Sequence, residues 1–267
     1  MPLSVFAKNA GPPYRYNRIT ENLNIQKNSD VEIEELLTMF YNGSYRSMWR
    51  IIPNATTTVI SNIKIFDGNT GQAFNYSPVT LDANNPSSWG KYTTYVKDGA
   101  TQIEWYYNTF DHVHTWALHY LVRGGVVNFT SDHDELIWNL FSGYDVPVDT
   151  VEAEVRLPDV VTEPQVNIFT TLSHDYYIDR PDDKTFRFRV SDIAPGERVT
   201  VKVGWQKDLV HPHVSAPFLL MIATKSSLLV MLMLGLAVVV GGIYYLRKRR
   251  GISLESFKRF FVKREEL

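Results

Sequence analysis

The sequence predicts an all-β fold: a β-sandwich domain, built as one or two β units, followed by one transmembrane helix. Apolar residues recur with period two from Arg15 to Trp205, the spacing of strands with one buried and one wet face. Turn chemistry falls between these runs, and no amphipathic helix interrupts them. Near the carboxyl end, Ser227 to Leu246 carries no charge, and its twenty residues at ~1.5 Å each span the hydrocarbon core of a bilayer.

The first candidate strands are Arg15 to Ile25, Val31 to Phe40, Tyr45 to Ile52 and Val59 to Phe66. Asp82 to Trp89 reads as a long polar loop. Asp98-Gly99 then fits a hairpin between Lys91–Lys97 and Thr101–Tyr107. In Gln102 to Tyr107, Ile103, Trp105 and Tyr107 share one face. In Thr115 to Val122 the apolar face is Trp116, Leu118, Tyr120 and Val122. Gly124-Gly125 reads as a bend between strands. Val151 to Leu157 alternates against Glu152, Glu154 and Arg156, and a break after Leu157-Pro158 could divide two β units. Arg180 to Asp183 reads as a turn before the run containing Phe186, Phe188 and Val190. Pro195-Gly196 supplies a type II turn ahead of the last strand, in which Val199, Val201, Val203 and Trp205 alternate.

Charge orients the chain. Residues 247–267 hold eight Lys/Arg and three Glu, net +5, which leaves 19 basic and 26 acidic residues before the apolar segment, net −7. Cytoplasmic flanks collect Lys and Arg, so Arg247, Lys248, Arg249 and Arg250 act as a basic anchor inside the plasma membrane. The expected organisation is a signal remnant or disordered start at 1–13, an extracytoplasmic β-sandwich domain at 14–210 and a juxtamembrane linker at 211–226. The transmembrane helix at 227–246 and a basic cytoplasmic tail at 247–267 follow. Leu3 to Ala7 looks like the end of an apolar signal core. The alternative topology, a cytosolic domain with a tail anchor, would require moving the basic tail across the bilayer.

Composition removes several classes of function. A mildly acidic domain lacks a phosphate-neutralising patch, so no nucleic-acid partner is expected. The absence of cysteine excludes thiol chemistry and thiolate-held metals, and about 200 residues bury a core without disulfides. No Gly-x-Ser-x-Gly elbow, phosphate loop or dinucleotide fingerprint occurs, and no cofactor is expected.

Five stretches, taken in order, resemble a known family. They are Ile19 to Glu35, Tyr41 to Pro53, His114 to Phe129, Asp134 to Pro158 and Ile193 to Trp205. Within them, Tyr45-Arg46, Tyr120, Glu135-Leu136-Ile137-Trp138-Asn139 and Leu157-Pro158 carry the likeness. The pattern resembles the N-terminal region of predicted membrane proteins catalogued as domain of unknown function 2207. The resemblance implies a signal peptide, an extracytoplasmic β-rich domain and membrane helices, with no assigned activity and no catalytic residues. The chain departs from that pattern in its brief opening segment and its short basic tail.

The residues that could carry chemistry are few. His112 and His114, at i and i+2 on a strand, have a spacing that zinc sites use, and Asp132 or His133 would add a third ligand if the loops meet. The plainer reading is a polar strand end and an acidic turn capping the Trp138 segment. Paired carboxylates among Asp132, Asp134 and Glu135 would suit hydrolysis of glycosides if suitably separated. Arg46 and Arg50 flank Trp49 either as a ligand-facing pair or as side chains that stack on an aromatic ring and bond neighbouring carbonyls. Trp105, Trp116 and Trp205 are expected in the core, and Trp89 on the surface.

The expected function is a non-enzymatic binding or scaffolding module at the cell envelope, with the lipid bilayer and an envelope protein or glycan as partners. Ala237 and Gly241 form a small-xxx-small pair that would let the helix form a homodimer. The alternative is a membrane-tethered hydrolase or metal-dependent enzyme using Asp132 to Glu135 with His112 and His114.

Overall fold

The computed structural model describes residues 14–54, 58–110, 112–126, 128–130, 132–142 and 144–211. The segments assigned to the signal remnant (1–13), most of the linker (212–226), the transmembrane helix Ser227 to Leu246 and the tail with Arg247 to Arg250 lie outside them. Among the described residues no helix is long and apolar enough to cross a membrane.

The described chain is nearly all strand. The first eight strands are β1 (Tyr14–Ile25), β2 (Val31–Tyr41), β3 (Ser44–Pro53), β4 (Val59–Asp67), β5 (Asn75–Tyr76), β6 (Lys91–Lys97), β7 (Ala100–Phe110) and β8 (Val113–Arg123). The remainder are β9 (Asn128–Phe129), β10 (His133–Ser142), β11 (Val148–Arg156), β12 (Gln165–Thr170), β13 (Tyr176–Asp182), β14 (Thr185–Ile193) and β15 (Arg198–Gln206). They form a seven-stranded sheet A in the order β13-β14-β11-β1-β2-β8-β4 and two four-stranded sheets. Sheet B runs β3-β7-β6-β5 and sheet C runs β12-β15-β10-β9. Most pairs are antiparallel, but β1 lies parallel to β11, with Ile19 opposite Val151 and Leu23 opposite Val155.

The turns follow their residues. Asp98 and Gly99 both take positive φ, 50° and 74°, as a type I′ hairpin between β6 and β7 requires. Gly196, at φ 80°, completes the type II turn before β15. Arg180 to Asp183 is not wholly a turn: β13 continues through Pro181 to Asp182, which pairs with Thr185. Proline is tolerated there because β13 is an edge strand. The stretch around Asp132 is likewise more extended than its charge suggests, because β10 starts at His133 and pairs with β15 along its length. After Pro158 the chain returns to sheet A through β13 and β14 and to sheet C through β12 and β15.

The inner face of sheet A buries Ile19, Leu23, Leu37, Met39, Trp116, Leu118, Val151 and Phe188. Against it lie Met48, Ile52, Ile103, Trp105 and Tyr107 from sheet B, and Leu136, Leu140, Val199, Val201 and Val203 from sheet C, all in one core. Aromatic rings join A to B: Trp116 stacks at 4.3 Å on Tyr107 and meets Trp105 at 6.3 Å. The Trp116 indole N–H donates to the Tyr41 hydroxyl at 2.7 Å, and Tyr41 and Tyr107 share a hydrogen bond of 2.8 Å. Trp105, Trp116 and Trp205 are buried as the alternation predicts. Tyr106, in the opposite phase, is buried too, where Gly90 N–H bonds its carbonyl at 2.8 Å.

Candidate functional site

An ionic cluster lies where sheets A, B and C meet. On β1 the inward phase runs Ile19, Glu21, Leu23, Ile25, and on β2 it runs Ile33, Glu35, Leu37, Met39. One carboxylate on each strand therefore falls among core residues. The register sets Glu21 directly opposite Glu35, and both are 0% exposed. Two like charges opposite each other on a buried face are strongly unfavourable.

Sheet B supplies the compensating cation. Arg50, on β3 and 6% exposed, grips Glu35 with two parallel bonds, Nε to Oε2 at 2.8 Å and Nη2 to Oε1 at 2.9 Å. This bidentate pairing is the strong geometry for guanidinium and carboxylate. Tyr120, on β8, also donates to Glu35. Sheet C contributes Trp138, whose indole N–H donates to Glu21 Oε2 at 2.8 Å. Glu21 Oε1 stands 3.8 Å from Arg50 Nη2 and has no hydrogen-bond partner among the described residues.

One guanidinium cannot neutralise two carboxylates, and Glu21 is the one that yields. Burial, then the neighbouring Glu35 charge, pushes its carboxyl well above the ordinary 4.5, outweighing the pull of Arg50 and Trp138. Burial alone would lower Arg50, but Glu35 and the Tyr144 and Tyr120 phenols outweigh it and keep the guanidinium charged.

Arg50 also faces a cleft of about 280 Å³, shared with Ile52, Pro53 and Asn54 of the β3 end and with Ile137, Trp138 and Asn139 of β10. Its floor is apolar, from Ile60 of β4 and Val122 of β8 in sheet A. Gly125 lines it as well, and a Cβ there would sit 2.8 Å from Val31 Cγ2, so the chain lies close against the sheet only as glycine. The lining of the cleft is mostly apolar, with Arg50, Asn54, Thr58 and Asn139 as its polar members. The two carboxylates themselves are sealed from solvent.

The residues singled out for metal or acid–base chemistry fall in two places. His112 and His114 lie together, Nε2 to Nδ1 at 3.4 Å, with His114 stacked at 4.1 Å on Trp116. His114 Nε2 lies 3.1 Å from Asp67 Oδ2, though poorly aligned for a hydrogen bond. Burial, the largest influence, keeps His114 below its ordinary 6.5 despite Asp67. Asp132 and His133 lie instead at the start of β10, where His133 bridges Asp132 Oδ1 at 3.0 Å and Glu135 Oε2 at 3.2 Å. Glu135 is paired with Lys202, whose hydrogen bond is the main cause that holds it below its usual range, and Asp134 is paired with Lys207. Among the described residues no group of three or more His, Cys, Asp or Glu has the geometry to hold a metal.

Both arginines beside Trp49 use aromatic stacking and oxygen acceptors. Arg50 lies 5.9 Å from the Tyr144 ring and donates to the Ile51 carbonyl at 3.0 Å. Arg46 lies 5.9 Å from the Trp89 ring and donates to Asn84 Oδ1 at 3.1 Å. Trp89 is only half-exposed, because its N–H is drawn to the Ala83 carbonyl at 3.0 Å. Trp49 is the open one, at 52%. Sequence reasoning passed over Glu21 and Glu35, although each is legible as an acid in the apolar phase of a strand.

Three solved structures give a sense of the likeness. A candidate protease from Parabacteroides distasonis aligns at 6% identity and TM-score 0.43, covering 73% of this chain and 41% of its own. An M1 zinc metallopeptidase from Deinococcus radiodurans aligns at 8% identity and TM-score 0.38, covering 71% and 42%. A candidate nutrient-binding protein from Legionella pneumophila aligns at 8% identity and TM-score 0.43, covering 73% and 68%. The chain thus spans about two fifths of the length of the first two, and none of these likenesses carries an activity to it. No curated protein matches the chain. The family pattern matches over residues 15–205, most of the chain, and takes in every strand of the cluster; the protein belongs to the predicted membrane proteins with a DUF2207 N-terminal domain.

Proposed function

We propose that this protein is a non-enzymatic binding module held at the plasma membrane, with its partner a protein outside the cell. In this reading the three sheets form a β-sandwich, Ser227 to Leu246 crosses the bilayer once, and Arg247 to Arg250 stay inside. The observation that supports it is the fate of the ionisable groups. Glu21 and Glu35 are sealed from solvent by Arg50, Tyr120 and Trp138. Asp134 and Glu135 are paired with lysines of the chain's own sheet C end. A hydrolase needs a carboxyl or imidazole free to reach substrate, and in this reading these groups serve the fold instead.

Metal analysis of the purified full-length protein, made in parallel with its His112→Ala and His133→Ala variants, tests the reading. The expected result is no stoichiometric ion in any of them and unchanged folding in both variants. A bound ion lost in either variant would favour a metal-dependent enzyme using His112, His114 and the Asp132 to Glu135 segment. Protease added to intact cells should remove the β domain. A domain shielded until lysis would overturn the topology.

A further inference from the structure

We propose that the outer face of sheet A is a binding site for a neutral, extended glycan laid across the strands. This goes beyond the binding-module reading by giving the protein a second ligand, and it stands whether or not a protein partner exists. The alternation that buries Glu21 and Glu35 turns their neighbours Thr20, Asn22, Glu34 and Leu36 to the opposite face. There the register lines up one side chain from each of the seven strands. Asp179 faces Arg187, Arg187 faces Glu154, and Glu154 faces Asn22. Asn22 then faces Glu34, which faces His119, which faces Lys64. With ~4.8 Å between strands, the row runs about 29 Å.

Two hollows lie along the row and meet at Asn22. One, of about 390 Å³, spans β13 to β1 and is bordered by Tyr177. The other, of about 740 Å³, spans β1 to β4 and is bordered by Phe66. Both have the size of ligand pockets. A bulge in β4 shapes the far wall of the second, where Asn62, at φ 54°, and Ile63 stand outside the ladder between Ser61 and Lys64. The Tyr92 hydroxyl of sheet B holds that bulge by donating to the Ile63 carbonyl at 2.6 Å. The groups along the row are within reach of a ligand: the side chains of Arg187, Glu34 and His119 are 54%, 40% and 44% exposed, and Tyr177 is 60% exposed.

The chemistry of the row selects the ligand. Its charges are matched side by side: Arg187 Nε donates to Glu154 Oε2 at 2.9 Å, the Asn22 amide donates to Glu34 Oε2 at 3.0 Å, and His119 Nε2 lies 3.3 Å from Glu34 Oε1. A charged ligand would meet its own sign beside every group that attracts it, and an apolar one would strip water from the ion pairs and return nothing. A carboxylate has roughly four acceptor sites, so Glu154 and Glu34 can still accept after these bonds. A sugar hydroxyl both donates and accepts. Successive hydroxyls can therefore donate to Glu154 and Glu34 and accept from Arg187 and Asn22. The apolar C–H faces of the sugar rings then lie against Tyr177 at one end and Phe66 at the other, where Phe66 meets His119 edge to face at 5.1 Å.

The test uses full-length protein in lipid nanodiscs and four probes, the linear neutral hexasaccharides of glucose, mannose, galactose and N-acetylglucosamine. Saturable binding of at least one is expected, with an affinity that barely moves between low and high salt, since no new ion pair forms. A carboxylated or amine-bearing form of the same sugar should bind at least tenfold more weakly. Asn22→Leu, at the junction of the hollows, and Tyr177→Ala, on the edge strand, should each weaken the probe at least tenfold. Tyr177→Ala touches only an exposed ring, so it gives the answer should Asn22→Leu fold poorly. Trp49→Ala, on sheet B, should leave binding unchanged. The proposal is overturned if no probe binds, if the charged forms bind as well as the neutral one, or if Trp49→Ala abolishes binding while Tyr177→Ala does not. Such a failure would leave the broader reading standing, since that depends on the metal analysis.

Discussion

Arg50→Met lowers the unfolding free energy by about 3–5 kcal/mol, because it strands the Glu35 carboxylate inside the core. The cost arises from what remains rather than from what is lost. Glu35 is 0% exposed and receives both guanidinium bonds, so without Arg50 the Tyr120 hydroxyl is the one hydrogen-bond donor left to it among the described residues. Removing the pair together, as Arg50→Met with Glu35→Leu, should cost clearly less than Arg50→Met alone, since no charge is then buried unpaired. Denaturant unfolding of the three proteins measures this. Equal or additive losses would mean the bidentate pair is not what joins sheets A and B.

Glu21 gives the same cluster a dependence on pH. Its folded-state carboxyl titrates well above the ordinary 4.5, so the folded protein holds this proton more tightly than the unfolded chain. That contribution is complete below about 4.5 and declines as pH rises through the raised folded value. Glu21→Gln keeps an acceptor for Trp138 and removes the titration. The variant should match the native protein in acid and become the more stable of the two at mildly alkaline pH. Parallel stability curves across that range would show that Glu21 does not carry the proton.

Trp116→Ala should cost about 3–5 kcal/mol, the range for emptying a large aromatic site in a packed core. Trp116 lies on β8 of sheet A with its ring against Tyr107 of sheet B, and its N–H is the donor to the Tyr41 hydroxyl. The substitution opens a cavity between the sheets and leaves a buried hydroxyl with one partner fewer. Trp116→Phe refills most of the volume but not the hydrogen bond, so its loss should be markedly smaller. If the two substitutions cost the same in denaturant unfolding, the bond rather than the packing dominates.

Strands were readable wherever one face met water, because period two is then visible in the residues themselves. β1 to β4, β6 to β8, β11, β14 and β15 were legible in this way. β10 was not, because His133-Asp134-Glu135 reads as a polar turn until Lys202 and Lys207 are brought alongside to neutralise it. β13 hid behind Pro181, which only an edge position accommodates. The candidate site divides along the same line. Stacking of Arg46 and Arg50 on aromatic rings was within reach of local reasoning. The rest of the cluster around Arg50 was not, since Glu21, Glu35, Tyr120 and Trp138 come from four other strands. His112 and His114 with Asp132 and His133 looked like one constellation on paper because they are close in the chain, yet they open strands of different sheets.

The parallel seam between β1 and β11 has a temporal meaning. A ribosome releases the opening hairpin long before it has made residues 148–156, so one flank of β1 must stay uncapped while most of the domain is synthesised. Pairing across so wide a sequence interval is slow, and a raw flank invites association with other chains in the meantime. Newly made protein is therefore most vulnerable to aggregation just before its eleventh strand arrives, and a helper that shields that flank would raise the yield of folded protein.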